Sequence, residues 1–99
     1  MRRGTTPKHT FKSKIDLRDA EVLYITYKQK GKTIIERTKD QMEVLEDRLV
    51  IHLTQQETLA FSTIGEVEIQ CRARFPDTDA IASNIIVRPA LRILKEGVI

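Results

Sequence analysis

Ninety-nine residues can hold one hydrophobic core at most, so a single domain is expected and a multidomain enzyme is excluded. Apolar residues make up 40% and charged residues 31%, an ordinary globular balance with no run near the roughly 18 apolar residues that a membrane-spanning helix needs. The net charge of +3 is unevenly spread: residues 1–18 hold Arg2, Arg3, Lys8, Lys12, Lys14 and Arg18 against Asp16 alone, six positive charges and one negative, which leaves −2 on the remainder.

The start is polar through Thr10 and has no apolar stretch of the kind that makes a secretory leader, so none is expected. Residues 1–7 read as a mobile basic arm and residues 8–99 as the domain. A basic arm on a slightly acidic body suits an acidic neighbouring subunit, nucleic acid, or simply a solvated terminus. Interaction is therefore sought first at Arg2, Arg3, Lys8, Lys12 and Lys14. Only Phe11 supplies an aromatic ring near these cations, and nucleic-acid binding without interleaved aromatics is the weaker reading.

Along the chain, alternation with a period of two recurs more clearly than helical spacing. His9, Phe11, Ser13 and Ile15 alternate with Thr10, Lys12 and Lys14, predicting a first strand over residues 8–15 with one side on a core. Ala20 to Lys28 is a second strand. Gln29-Lys30-Gly31-Lys32 is a tight connection, read as a type I turn plus bulge with Gly31 left-handed. Lys32 to Asp40 returns as a third strand, and Met42 to Leu45 is a short fourth.

Leu49, Ile51 and Leu53 point one way in a fifth strand, with Val50, His52 and Thr54 on its opposite face. Thr54-Gln55-Gln56-Glu57 has the capping-box pattern, which predicts one or two helical turns through Phe61. Val67, Ile69, Cys71, Ala73 and Phe75 then alternate against Glu66, Glu68, Gln70, Arg72 and Arg74 in the cleanest amphipathic strand of the sequence. Pro76-Asp77-Thr78-Asp79 supplies turn chemistry, Ala80 to Val87 returns as the partner strand, Pro89 interrupts pairing, and Ala90 to Leu94 is a candidate terminal strand.

About seven short strands at ten-residue spacing, with one short helical turn, predict an all-β, immunoglobulin-like β-sandwich. Its expected interior unites Val67, Ile69, Cys71, Ala73 and Phe75 with Leu49, Ile51 and Leu53. An OB-type barrel is the rival, but Tyr24 and Tyr27 are three residues apart and so cannot share the strand face on which such barrels stack bases.

The residues that carry chemistry point to no active site. One cysteine, Cys71, forms no internal disulfide or multi-thiolate site and falls on the core face, where a thiol is a poor nucleophile. His9 and His52 lack partners at metal-ligand spacing, and His52 falls on the outer face of its strand. Ser13, Ser62 and Ser83 lack a nucleophile-elbow context, and the isolated glycines make no phosphate cradle. Asp77-Thr78-Asp79 suits a hairpin turn better than a calcium loop, and Glu66 and Glu68, with Arg72 and Arg74 further along the same strand face, suit cross-strand ion pairs or a solvated face. The expectation is no catalytic residue, no cofactor site and no metal site.

The opening Met1-Arg2-Arg3-Gly4-Thr5-Thr6-Pro7-Lys8-His9-Thr10-Phe11, the middle Leu53-Thr54-Gln55-Gln56-Glu57-Thr58-Leu59-Ala60-Phe61, and the late Val67-Glu68-Ile69-Gln70-Cys71-Arg72-Ala73-Arg74 with Ala82-Ser83-Asn84-Ile85-Ile86-Val87 resemble small prophage-encoded proteins of Gram-positive bacteria of the Firmicutes. The strand pattern is similar, more loosely, to the N-terminal β-sandwich domain of siphophage upper baseplate proteins, although the chain lacks the long fibre or receptor-binding portion of those proteins. The resemblance implies a non-enzymatic virion or assembly component, tail or baseplate associated, and carries no catalytic residue to transfer. The expected partners are copies of itself and other phage structural proteins, with nucleic acid the alternative and no membrane. The implied location is the bacterial host cytoplasm during assembly and then the virion.

Overall fold

A computed structural model describes every residue of the chain except Thr78. The protein is all-β, and its described residues form eight strands in two antiparallel sheets and one short α-helix: β1 (Lys8–Lys12), β2 (Val22–Gln29), β3 (Lys32–Thr38), β4 (Glu43–Val44), β5 (Arg48–His52), α1 (Gln55–Leu59), β6 (Val67–Arg74), β7 (Ala80–Ala82) and β8 (Ile86–Arg88). One sheet has the order β1-β5-β4; the other runs β3-β2-β6, with β7 and β8 sharing the outer side of β6. In the lettering of immunoglobulin sandwiches these orders are B-E-D and C′-C-F-G, and no strand occupies the A position beside β1 among the described residues.

The two sheets meet over a core of Leu23, Ile25 and Tyr27 from β2, Leu49 and Ile51 from β5, Val67, Ile69 and Ala73 from β6, with Ile35, Leu53 and Phe61. Alternation explains most of it: burial along β2 switches at every residue, and each enclosed aliphatic side chain contributes about 1.5–3 kcal/mol. Tyr27 is enclosed while Tyr24 is exposed, as their odd separation requires. Val50 departs from the expected outer face and is buried, because β5 is the middle strand of its sheet and Thr10 and Glu43 flank Val50 on either side. His52 is exposed as expected.

The turns show where sequence chemistry sets the boundaries. Gln29 pairs directly with Lys32, and both intervening residues are left-handed, Lys30 at φ 54° and Gly31 at φ 75°. That is a two-residue turn of the mirror-image kind that matches strand twist, not a type I turn. The register shift sits inside the ladder, between Tyr27 and Lys28, with Ile34 as the extra residue of β3. β3 stops at Thr38, short of Asp40, where Gln41 folds back to accept a hydrogen bond from the Thr38 N–H at 3.0 Å and residues 39–41 make a 3-10 turn. The capping box forms as its residues dictate: Glu57 N–H donates to Thr54 Oγ1 at 3.2 Å and Thr54 N–H to Glu57 Oε1 at 2.9 Å. The helix it starts ends at Leu59.

Other expected strands are shorter than predicted, broken or absent. β1 ends at Lys12, because Ser13 Oγ binds the Ile15 backbone, accepting from its N–H and donating to its C=O, and turns the chain away; Ile15 is therefore 51% exposed and not a core residue. The run from Ala80 to Val87 breaks into β7 and β8 at residues 83–85. Cys71 N–H donates to the Ser83 side chain at 3.0 Å, a competitor for the backbone ladder, and the register against β6 slips by one residue across the break. Thr78, part of the expected turn chemistry, lies outside the described residues, while Phe75 N–H donates to Asp79 C=O at 2.9 Å ahead of β7. In place of a strand over Ala90–Leu94 there is an isolated parallel bridge between Leu91 and Arg2.

Residues 1–3 make that bridge as part of a set of ties. The Met1 ammonium donates to Pro89 C=O at 2.9 Å, Leu91 N–H to Met1 C=O at 2.7 Å, and Arg3 N–H to Leu91 C=O at 2.9 Å. At Gly4, φ is 73°, a left-handed conformation that favours glycine, and an added side chain would push aside the tip of Ile93, 2.7 Å away.

Candidate docking cleft

Where an immunoglobulin sandwich would carry strand A, this molecule has a cleft between β1 and the β7–β8 edge. Its volume is about 570 Å³, and its apolar lining includes Phe11, Ile15, Ile69, Cys71, Ile81 and Ile86. The short β1, the turn at Ser13 and the break at residues 83–85 open it, since each removes chain that would close the gap. Lys12 and Lys14 are the only charged residues in the lining, and no carboxylate contributes.

The cleft accounts for Cys71. Its thiol is half-buried, not enclosed with Val67, Ile69 and Ala73 as the alternation predicts, because the facing wall is missing there. Burial still pushes the thiol pKa up, so the neutral form prevails. Phe75, expected inside, is likewise only partly covered at the end of the sheet.

A second recess of about 340 Å³ lies further along the same gap, lined by Met1, Lys8, His9, Phe11, Ile86 and Arg88 among others. His9 stacks on Tyr27 at a centroid distance of 5.8 Å and its Nδ1 is hydrogen-bonded to the Tyr27 hydroxyl at 2.6 Å. Burial, then the positive Met1 ammonium, lower the His9 pKa below its ordinary value, and burial pushes the Tyr27 phenol up. Both rings are therefore held neutral near pH 7, a buried polar contact that fixes β1 on β2. Sequence reading missed this pair, and its signal was slight: His9 and Tyr27 each fall on the apolar side of their strands.

The five cations singled out in the sequence divide into two groups. Arg2 and Arg3 are spent inside the chain: Arg2 Nη1 donates to Arg92 C=O at 2.7 Å, and Arg3 reaches Phe61 C=O at 2.6 Å, Leu59 C=O at 3.0 Å and Glu96 at 2.8 Å. Lys8, Lys12 and Lys14 are exposed and line the open gap. The structure thus brings three of the five to one edge and turns the other two toward the C-terminal segment.

Other charged groups make local pairs. Arg18 holds the Asp16 carboxyl down to about 2 through a hydrogen-bonded contact at 2.6 Å. Burial raises the Glu57 pKa, but hydrogen bonds from Arg37 and Thr54 outweigh it and keep the carboxyl below its ordinary range. Glu21, next to β2, and Arg74 on β6 approach to 3.5 Å, a cross-strand contact of the kind the strand pattern suggests. Among the described residues, no three His, Cys, Asp or Glu side chains gather in a metal-binding arrangement, and no helix is long and apolar enough to cross a membrane. No family model, curated protein or solved structure matches the chain.

Proposed function

We propose that this chain is a non-enzymatic structural protein of a phage or prophage, tail or baseplate associated, that works through protein–protein assembly with copies of itself or with other phage structural proteins. The observation that carries the reading is the crowding of exposed aliphatic side chains along one edge. Ile81 is 37% exposed and faces Ile15 across the cleft, while Ile85, 53% exposed, and Val87, 39%, lie on the other face of the same edge beside Glu68, and Leu91 is 41% exposed. Such grouping on a small domain is characteristic of a surface that another protein covers. The phage assignment rests on the resemblance of the opening, middle and late segments, and an all-β sandwich is the domain type which that resemblance implies. Host cytoplasm during assembly, and then the virion, are the locations that follow from it.

The test is light scattering of nuclease-treated protein, intact and with Lys8, Lys12 and Lys14 each changed to Glu, beside a binding assay with random-sequence DNA. The full chain is kept because residues 1–3 are built into the body. Concentration-dependent oligomers, or capture of a phage structural protein, without DNA binding are expected. A protein that stays monomeric, captures no such partner and binds DNA at physiological salt would replace this reading with the nucleic-acid alternative.

A further inference from the structure

Taking the assembly reading as its basis, we infer that the cleft between β1 and β7–β8 receives an extended segment of a separate, acidic and apolar protein partner, which adds to the molecule as a strand in the vacant A position. Three independent features of the cleft support this.

The first is the main chain of its two walls. Leu53 N–H to Pro7 C=O and Ser13 N–H to Asp47 C=O bracket the β1–β5 ladder, so His9 and Phe11 bond to β5. The alternate residues, Lys8, Thr10 and Lys12, turn their N–H and C=O groups away from β5 toward the gap. Across the gap, Ser83 N–H to Cys71 C=O sets the parity along β6, so Ile86 and Arg88 bond inward and Val87 faces outward, its C=O accepting from Arg88 Nη1 at 2.8 Å and its N–H left open. An edge with unpaired donors and acceptors along β1 and an open N–H at Val87 thus flank one cleft, and Arg88 would have to release the Val87 C=O for a strand to pair fully on that wall.

The second is the floor. Phe11, Ile69, Cys71 and Ile86 line it, so alternate side chains of an added strand find an apolar seat while the others face water. The third is charge. Lys12 and Lys14 are the charged residues of the main cleft, Lys8 and Arg88 those of the adjoining recess, and neither is lined by a carboxylate. An occupant with acidic residues on its solvent-facing side completes this edge, whereas a basic one is repelled. A free anionic amphiphile would use the floor and the lysines but leave the main-chain groups of both walls unpaired, so the polypeptide is the better fit.

The probe is a capped synthetic peptide, Glu-Ile-Glu-Val-Glu-Ile-Glu, titrated against the full chain by calorimetry, with amide exchange read residue by residue. Binding is expected to protect the Thr10, Lys12 and Val87 amides, and the double change Lys12→Glu, Lys14→Glu is expected to weaken it about tenfold while the circular dichroism spectrum stays unchanged. Thr10→Pro removes one outward N–H without touching the β5 ladder and should weaken binding with the lysines intact. No binding, equal binding of a Lys-for-Glu or backbone N-methylated peptide, or binding without protection of those amides overturns the inference. Oleate giving the same response as the peptide also overturns it, in favour of an amphiphile site. Light scattering on the same samples separates this failure from that of the assembly reading. Oligomers that form while the added peptide leaves the Thr10, Lys12 and Val87 amides exposed overturn strand addition alone. Peptide-free oligomers that protect them replace the separate partner with a second copy of the chain. A monomer that ignores the peptide and holds DNA overturns both readings.

Discussion

Gln29 is a polar residue only 4% exposed at the end of β2, and every polar atom of its side chain is used. Its Nε2 donates to Ser62 C=O at 2.6 Å and Gly65 C=O at 2.9 Å, and its Oε1 accepts from Ser62 N–H at 2.7 Å, so one amide holds the loop between α1 and β6. Changing Gln29 to Leu keeps the bulk and deletes all three bonds. At about 1 kcal/mol net for each, the loss is about 3 kcal/mol, with some relief where water reaches Ser62 and Gly65. For a domain of this length that corresponds to a fall of about 12–24 °C in Tm, readable by thermal and urea denaturation followed by circular dichroism. Gln29→Glu sharpens the argument: its carboxylate keeps the bond from Ser62 N–H but faces two carbonyls with no proton to offer. Its folded-state pKa should therefore be raised, and the variant should regain stability as pH falls through that value and the protonated acid again donates. A Leu variant within about 1 kcal/mol of the parent, or a Glu variant indifferent to pH, would refute the clamp.

His9 has a lowered pKa, so the unfolded chain takes up a proton first as pH falls below about 6.5. Stability should drop on acidification from that point down to the folded-state pKa, and His9→Gln should remove this part of the pH dependence while leaving the lower-pH loss from Glu57, as measured by Tm across pH 4–8. Lys30 holds φ 54° beside Gly31, a conformation that asparagine tolerates better. Lys30→Asn should stabilise by about 0.5–1 kcal/mol in urea titrations, and a destabilised variant would count against the mirror-image turn. Cys71 should react with a small maleimide in the folded protein, more slowly than a free peptide thiol because burial raises its pKa; reaction only in denaturant would mean that the cleft is closed in solution.

How legible these features were in the sequence depends on how local their causes are. The alternation of Val67 to Arg74, the Thr54–Glu57 box and the opposed faces of Tyr24 and Tyr27 are set by residues within a few positions of one another, and all are present in the structure. The cleft was not legible, because it is a gap left by two breaks far apart in the chain. The signals for those breaks were single serines: Ser13, which binds the Ile15 backbone, and Ser83, which intercepts the Cys71 N–H. Alternation continues through both serines, so a pattern of apolar and polar residues passes over them. Gln29 was hidden in the same way, since a polar residue before a turn looks solvated until the loop that closes over it is known. The cationic arm was legible as charge but not as placement. The acceptors that engage Arg3 lie 56 to 93 residues further along, and nothing within the arm distinguishes Arg3 from Lys8.

The ties between residues 1–3 and residues 89–91 also bear on the order in which the molecule can be completed. Residues 1–3 are among the last of this domain to find their partners, because Met1 bonds to Pro89, 88 residues further along, and Arg3 to Leu91. Contacts of such long sequence separation carry a large closure entropy and slow the final step of folding. Earlier still, until β5 is made some forty positions later, β1 waits with both of its edges open, the circumstance in which strands pair with the wrong neighbour. Lys8 and Lys12 stand along β1 throughout that interval, and two like charges on a short strand disfavour its pairing with the same strand of another nascent chain. Pulse-labelled hydrogen exchange should accordingly find the Arg3 and Leu91 amides gaining protection together, after those of β2 and β6.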